Sequence, residues 1–420
     1  MTRAGCAALL LAAILSTRAG HAVELDRGDL KLDLSASLRE LIARSREIRT
    51  DDAFPGPGGT VSLGVSPSLL SQTRARIDLQ ARYREHFSAQ VTYDNEIFSG
   101  TGRKSLGFAL ADARGKETWA DLDRTISDAH DLTWQHLLYR GWVRYEGDDV
   151  EVTVGRQRIA LGRARLWNPT DLFNPIPPLA LEGDQRIGVD SVVTRVRISD
   201  DLWASAIVAP QNSSDLYRSA LRLELSRRSV DAALMFARIE TDSVYGLDFA
   251  TNVGDAALRG EGTWTFHEHG GHTTQLVGSL DYTFDIGAGL YALVEHFYNG
   301  NTFSRATLRD TLTALPPLTP EQGLSLLTQE GVLPTSQLVT VSHNQTGVDF
   351  GYDLTPLLRL DVLWIHDWEG PSEALFPVLT WSALQSLELS LGAQVFGGRD
   401  GEGNYGGLDP LYFVRIDLYF

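Results

Sequence analysis

The chain has 420 residues, a formal charge of −17, three lysines against 34 arginines, and a single cysteine. An acidic balance disfavours nucleic acid as a partner. Cys6 lies in the first segment, so residues 23–420 have no thiol for disulfides, thiolate chemistry or thioether haem attachment, and no cofactor is assigned.

The first segment holds Arg3, an apolar run from Ala7 to Leu15 and small residues before Ala22-Val23. This pattern predicts a secretory signal over 1–22, too short to cross a bilayer, with cleavage after Ala22. Losing Arg3 and Arg18 moves the charge from −17 to −19. Beyond it no apolar run reaches the length of a transmembrane helix and no linker divides the chain. Residues 23–420 therefore read as one all-β domain.

Period-2 alternation recurs from segment to segment. Leu30, Leu32, Leu34, Ala36 and Leu38 share one face of the first. In the second, Ala75, Ile77, Leu79 and Ala81 oppose Arg74, Arg76, Asp78, Gln80 and Arg82. Later segments set Leu137, Val143 and Tyr145 against Arg140 and Arg144, and Leu221 and Leu223 against Arg218 and Arg222. Strand cores are predicted at 30–41, 69–84, 87–98, 132–146, 150–162, 187–199, 201–209, 216–226 and 229–239. Others follow at 244–250, 256–268, 272–285, 288–299, 338–353, 357–368, 374–382, 385–397 and 409–420. The segments at 244–250 and 374–382 have the weakest patterns, which leaves sixteen strands as the alternative to eighteen. Parity breaks between Val150 and Leu161, and a bulge at Gly155 would repair it.

Short links such as Glu85-His86, Asp200-Asp201 and Thr355-Pro356 alternate with long ones at 99–131, 163–186, 300–337 and 398–408. That asymmetry, with apolar faces turned to lipid and charged faces to water, predicts a transmembrane antiparallel β-barrel. The last strand alternates Tyr412, Val414, Ile416, Leu418 and Phe420 on one face. This resembles the terminal signal read by the barrel-assembly machinery.

The run Val154-Gly155-Arg156-Gln157-Arg158, with Trp167-Asn168-Pro169-Thr170-Asp171, resembles outer-membrane channels of the alginate-export type and the porin-like families around them. The resemblance implies an eighteen-stranded barrel with an arginine-rich conduit for an anionic solute, partly closed by loops. The arginines crowd into the first half of the chain, and no complete selectivity set of that family can be matched residue by residue.

Arg74, Arg76, Arg82, Arg140, Arg144, Arg156, Arg158, Arg218 and Arg222 are the pore-lining candidates. Their role is either to lower the barrier for anions or to pair with wall carboxylates such as Asp78 and Glu224 and stiffen the barrel. The loop 163–186 is too apolar for an exposed connection. It is expected to fold inward as a constriction carrying Arg163, Arg165, Trp167, Asn168, Pro169, Asp171, Phe173 and Asn174, the alternative being an outer lid. His267, His269 and His272 read as a solvated hairpin tip ahead of a metal site. Trp142, between Arg140 and Arg144, is open to a lumenal role.

The leading expectation is a passive, anion-favouring channel in the outer membrane of a Gram-negative cell, for a polyanionic saccharide or another small anion. A barrel sheath around a separate export or electron-transfer subunit is the competing one, and a barrel enzyme a minor third. The expected partners are outer-membrane lipid, the assembly machinery, the anionic solute and a periplasmic protein.

Overall fold

In the computed structural model the described residues are 23–48, 65–104, 108, 118–129, 132–183, 188–211, 217–268, 270–302, 340–399 and 402–420. The predicted leader, most of the loop 300–337 and His269 lie outside them.

The strands are β1 (Val23–Arg27), β2 (Leu30–Ile48), β3 (Val65–Tyr83), β4 (Phe87–Ser99), β5 (Asp123–Ala129), β6 (Leu132–Glu146) and β7 (Val150–Gln157). Then come β8 (Val189–Ser199), β9 (Leu202–Pro210), β10 (Tyr217–Arg227), β11 (Val230–Ile239), β12 (Asp242–Val253), β13 (Ala256–Phe266) and β14 (His272–Phe284). The last are β15 (Leu290–Asn299), β16 (Asn344–Thr355), β17 (Leu358–Asp367), β18 (Ser372–Leu384), β19 (Leu387–Gly398) and β20 (Leu411–Tyr419).

They form one 20-stranded antiparallel sheet that closes where β20 pairs with β2. Two strands stand outside the ring, β1 as a hairpin on β2 and β5 as a neighbour of β6, so the barrel wall has eighteen. The weakly patterned segments form β12 and β18, which removes the sixteen-strand alternative. The connections at 84–86, 147–149, 200–201, 228–229, 254–255, 356–357 and 385–386 are all tight, and the long ones gather at the opposite rim. The chain end seals the seam: Phe420 donates its N–H to Ala36 O (2.8 Å) and accepts from the Ala36 N–H (3.2 Å).

Alternation places apolar side chains outward. Val143 is 58% exposed and Leu221 62%, with Ile77, Val91, Leu234 and Leu391 also exposed around the circumference. No described helix is long and apolar enough to cross a membrane, which says nothing about strands. An outer belt of Val, Leu and Ile above charged inner faces inverts the soluble sandwich and suits a wall in contact with lipid. On the terminal strand Tyr412 and Val414 are exposed and Leu418 is buried, while Ile416 and Phe420 are half-buried.

Two local expectations need correction. The ladder runs through Gly155 without a slip, pairing it with Trp142 and placing Arg156 opposite Gly141. Gly155 takes a φ of 123° instead, where a Cβ would collide with the Gly141 carbonyl. The slip lies on β6, where Thr92 meets Arg140 but Tyr93 meets Leu138, so Tyr139 is the extra residue. The strand predicted at 150–162 also ends early, at Gln157, because the chain there leaves the wall for the lumen.

Candidate functional site: a collar inside the barrel

An eighteen-stranded barrel is wide enough to hold an aqueous channel unless its own loops fill it. Here residues 158–183 run along the inner wall and touch it at successive strands. Ile159, Leu172 and Phe173 pack on Ile207, Ala220, Met235, Ala237 and Val244 of β9 to β12. Ala164, Leu166 and Trp167 pack on Val277, Phe297, Leu363, Ile365 and Ala374 of β14 to β18. Leu181 rests on Leu41, Ala43 and Phe413 at the β2–β20 seam. The apolar loop is thus enclosed, as its composition required.

Small inward residues make room for it. A Cβ on Gly347 would press on Leu166 and stand 3.1 Å from the Trp167 ring, which stacks on Phe297 at 5.5 Å. The Asn and Asp residues close turns, as expected of these types. Asp171 donates its N–H to Asn168 O (3.1 Å), and the Asn174 side chain accepts from the Ile159 N–H (3.1 Å). Pro169 is buried beside them.

Two wall carboxylates that the sequence reading did not single out hold the loop backbone. Glu295 on β15 accepts the N–H groups of Arg165 (2.9 Å), Leu166 (2.9 Å) and Trp167 (2.7 Å). Glu261 on β13 accepts those of Arg163 and Ala164, plus the Thr170 N–H (3.3 Å) and hydroxyl (2.8 Å). With its amide oriented to suit its neighbours, Asn168 also donates to Glu261 (3.1 Å). The sequence signal for Glu295 was a lone acid at inward parity in an otherwise neutral strand face, whereas Glu261 shares its face with Arg259.

Most of the predicted pore arginines face inward, and most are already paired. Arg163 and Arg222 share Asp248, Arg222 also binds Glu224, Glu224 binds Arg195, and Arg195 shares Glu151 with Arg144. This alternating row crosses the inner wall from β12 to β6. Arg74 binds Glu96 and Glu182, Arg76 binds Asp94 (2.6 Å), and Arg218 binds Glu240 (3.4 Å). Arg82 meets Asp33 at 3.4 Å in an exposed pair.

Arg156 is placed differently from expectation. It is 3% exposed and locked between Asp190 (2.9 Å), Asp123 (3.3 Å) and the carbonyls of Ala120 and Leu138, pinning the segment before β5 to the rim. Its charge is spent inside the wall.

Arg158 and Arg165 are exposed, and among the described residues neither has an ion-pair partner. Arg158 joins a basic cluster with Arg76 and Arg140, whose guanidinium groups lie 4.0 and 4.1 Å from the centre of the Tyr139 ring. Arg165 stands near Arg259 and Tyr291 on the far side. Arg197, which the sequence reading passed over, stacks on Trp203 at 5.0 Å without a carboxylate among the described residues. Asp349 on β16 is an inward acid that, like Glu261 and Glu295, has no ion-pair partner among the described residues.

Trp142 faces inward, donating to Gln90 (3.1 Å) under the Arg144 guanidinium. His267 bonds to Asp242 (2.8 Å) and Thr273 (3.2 Å) across the hairpin, and His272 is exposed.

At the loop tip Glu182 is gripped by Arg74 and Arg39. Burial works against its charge, yet the two guanidinium groups hold its carboxyl below the usual carboxylate range.

No family model and no curated protein matches the sequence. Solved structures do match. Acinetobacter baumannii OccAB1 is 10% identical over 96% of this chain and 99% of its own, with a TM-score of 0.55. Pseudomonas aeruginosa OccK9 (OpdG) is 12% identical over 93% and 98%, at 0.55. The outer membrane protein opdK from Pseudomonas aeruginosa is 9% identical over 92% and 98%, at 0.51. These likenesses support the broader porin-like resemblance and give no support to the alginate-export type. Along nearly its whole length, the chain has the barrel fold of the Occ and Opd outer-membrane channels.

Proposed function

We propose that this protein is a passive outer-membrane channel whose collar-narrowed lumen favours anions. The observation that carries the anion preference is the pair Arg158 and Arg165, exposed on the collar and without an ion-pair partner among the described residues. At about 4 Å two unit charges interact by roughly 1 kcal/mol in bulk water and about 4 kcal/mol at an effective dielectric of 20. In a narrow lumen two arginines therefore act strongly on a passing ion, while charges beyond a Debye length of about 8 Å hardly reach it.

The cargo class is a small organic anion or a polyanionic saccharide, the latter following from the alginate-export resemblance of residues 154–158 and 167–171. The terminal strand from Tyr412 to Phe420 serves as the assembly signal, after secretion on the 1–22 leader. A sheath role is disfavoured because the chain's own collar, packed in three apolar clusters, occupies the space a guest subunit would need. Reversal potentials of the purified protein in planar bilayers under a KCl gradient test the reading. Anion selectivity is expected, and cation selectivity would overturn it.

A further inference from the structure

We infer that Glu261 and Glu295 are the positioning residues of the pore, holding the Arg165-bearing stretch of the collar in place by acting as built-in anions for its backbone. The consequence for ion selectivity rests on the channel reading above; the positioning itself does not.

Five consecutive N–H groups, from Arg163 to Trp167, all end on these two carboxylates. Successive amides that converge in this way make an anion-binding concavity, the kind of feature that elsewhere takes phosphate or a free carboxylate. Here the wall supplies the anion. Glu295 is fully buried and Glu261 nearly so, and each emerges from a strand whose pairing to its neighbours is regular. The two carboxylates are therefore fixed points, and the loop conforms to them. Gly162, at a φ of 85°, lets the chain turn onto Glu261, where a Cβ would collide with that carboxylate and Thr170.

Apolar packing against Phe297, Ile365 and the notch at Gly347 seats the Leu166 and Trp167 side chains. The five directed hydrogen bonds add what packing leaves open, the alignment of the backbone between Arg163 and Trp167. The alignment leaves the Arg165 side chain exposed, beside Arg259 of β13 and Tyr291 of β15. Two buried acids thereby contribute to anion preference, the reverse of their direct electrostatic effect.

A glutamine cannot replace either acid. It offers one acceptor oxygen and turns an NH₂ toward groups that also donate. An alanine at 295 removes a CH₂–COO⁻ fragment, close to acetate in size and charge, and leaves the amides facing a hole of that shape.

The test uses Glu295→Ala, Glu295→Gln and Glu261→Gln in the full-length protein, with heat-modifiable gel migration confirming a closed barrel. Single-channel conductance should rise about two-fold or more in each variant as the collar lifts from the wall. The reversal potential should move toward cations. In Glu295→Ala, but not in wild type, added acetate should bring conductance back toward the wild-type value, while sulfate, too large for the hole, should not. Folded variants with wild-type conductance overturn the inference. So does a conductance rise in Glu295→Ala that acetate leaves unchanged, because loosened packing would then be the cause. If Glu295→Ala does not fold, the two size-matched glutamine variants decide the point by conductance. Should wild type lack anion preference while Glu295→Ala still widens and acetate still narrows it, the positioning role stands and the anion reading falls.

Discussion

Arg74 and Glu182 meet in a two-pronged ion pair, Nη1 to Oε1 at 2.7 Å and Nη2 to Oε2 at 2.9 Å, that ties the collar tip to β3. Paired forks of this kind combine charge with fixed direction.

The pH dependence of that tie follows from Glu182. Its carboxyl is held below the ordinary value of 4.5, so the folded contact binds protons less readily than the released loop. The stabilisation is complete above pH 4.5 and is lost as the pH falls through the depressed folded value. Conductance recorded from pH 7 to pH 3 should be flat and then step upward below about 4.5 as the tip lets go. In Glu182→Gln the open level should already be present at pH 7. A wild-type trace with no step would detach the collar tip from gating.

Selectivity should separate Arg156 from its neighbour two residues on. Arg158→Gln with Arg165→Gln is expected to shift the reversal potential toward cations. Arg156→Gln should leave selectivity unchanged and instead loosen the segment Ala120 to Asp123, seen as faster amide exchange or proteolysis there. Asp349→Asn should strengthen anion preference. Equal effects of the Arg156 and Arg158/Arg165 replacements on reversal potential would contradict this assignment.

Asp248 is fully buried and neutralises both Arg163 and Arg222. Asp248→Asn leaves Arg222 with Glu224 and Arg163 with the more distant Asp231, and breaking a buried pair costs at most about 3–5 kcal/mol. The temperature of heat modification should fall clearly. Arg82→Gln breaks an exposed pair worth at most about 1 kcal/mol and should leave that temperature nearly unchanged.

Gly347→Leu tests the close approach of collar and wall. The new side chain must displace Leu166 and Trp167, and overpacking of this kind costs typically about 1–3 kcal/mol. Since the wall is the stiffer partner, the collar should move inward and conductance should drop. A rise in conductance would mean that the collar unseats instead.

The wall was legible in the sequence because lipid on one side and water on the other impose strict alternation on every spanning strand. That is why Arg74, Arg140 and Arg222 fall on the face opposite the exposed apolar residues, where all three are buried. The partners of those arginines were not legible, since Arg74 finds Glu182 108 residues away and Arg39 finds Asp417 378 residues away. Strand β5, Asp123–Ala129, escaped notice for a related reason: with only Ile126 and Ala129 as apolar residues, it lacks the alternation that lipid demands. Arg156 shared the parity of Val150, Val152 and Val154, a warning that its side chain was not pointing at the lumen with its neighbours.

The seat of Leu181 imposes an order of events. Its pocket takes Leu41 and Ala43 from β2 and Phe413 from β20, and Arg39 bridges Glu182 and Asp417 across that seam. Half of this seat belongs to the last of the described strands and the other half to one of the first. Until those strands join, the loop tip lacks its seat, while Ile159, Leu172, Phe173 and Trp167 can already rest on β9 to β12 and β14 to β18. Closing the ring and fixing the collar tip are thus a single event, and a faulty seam would free the tip before it freed the rest of the collar.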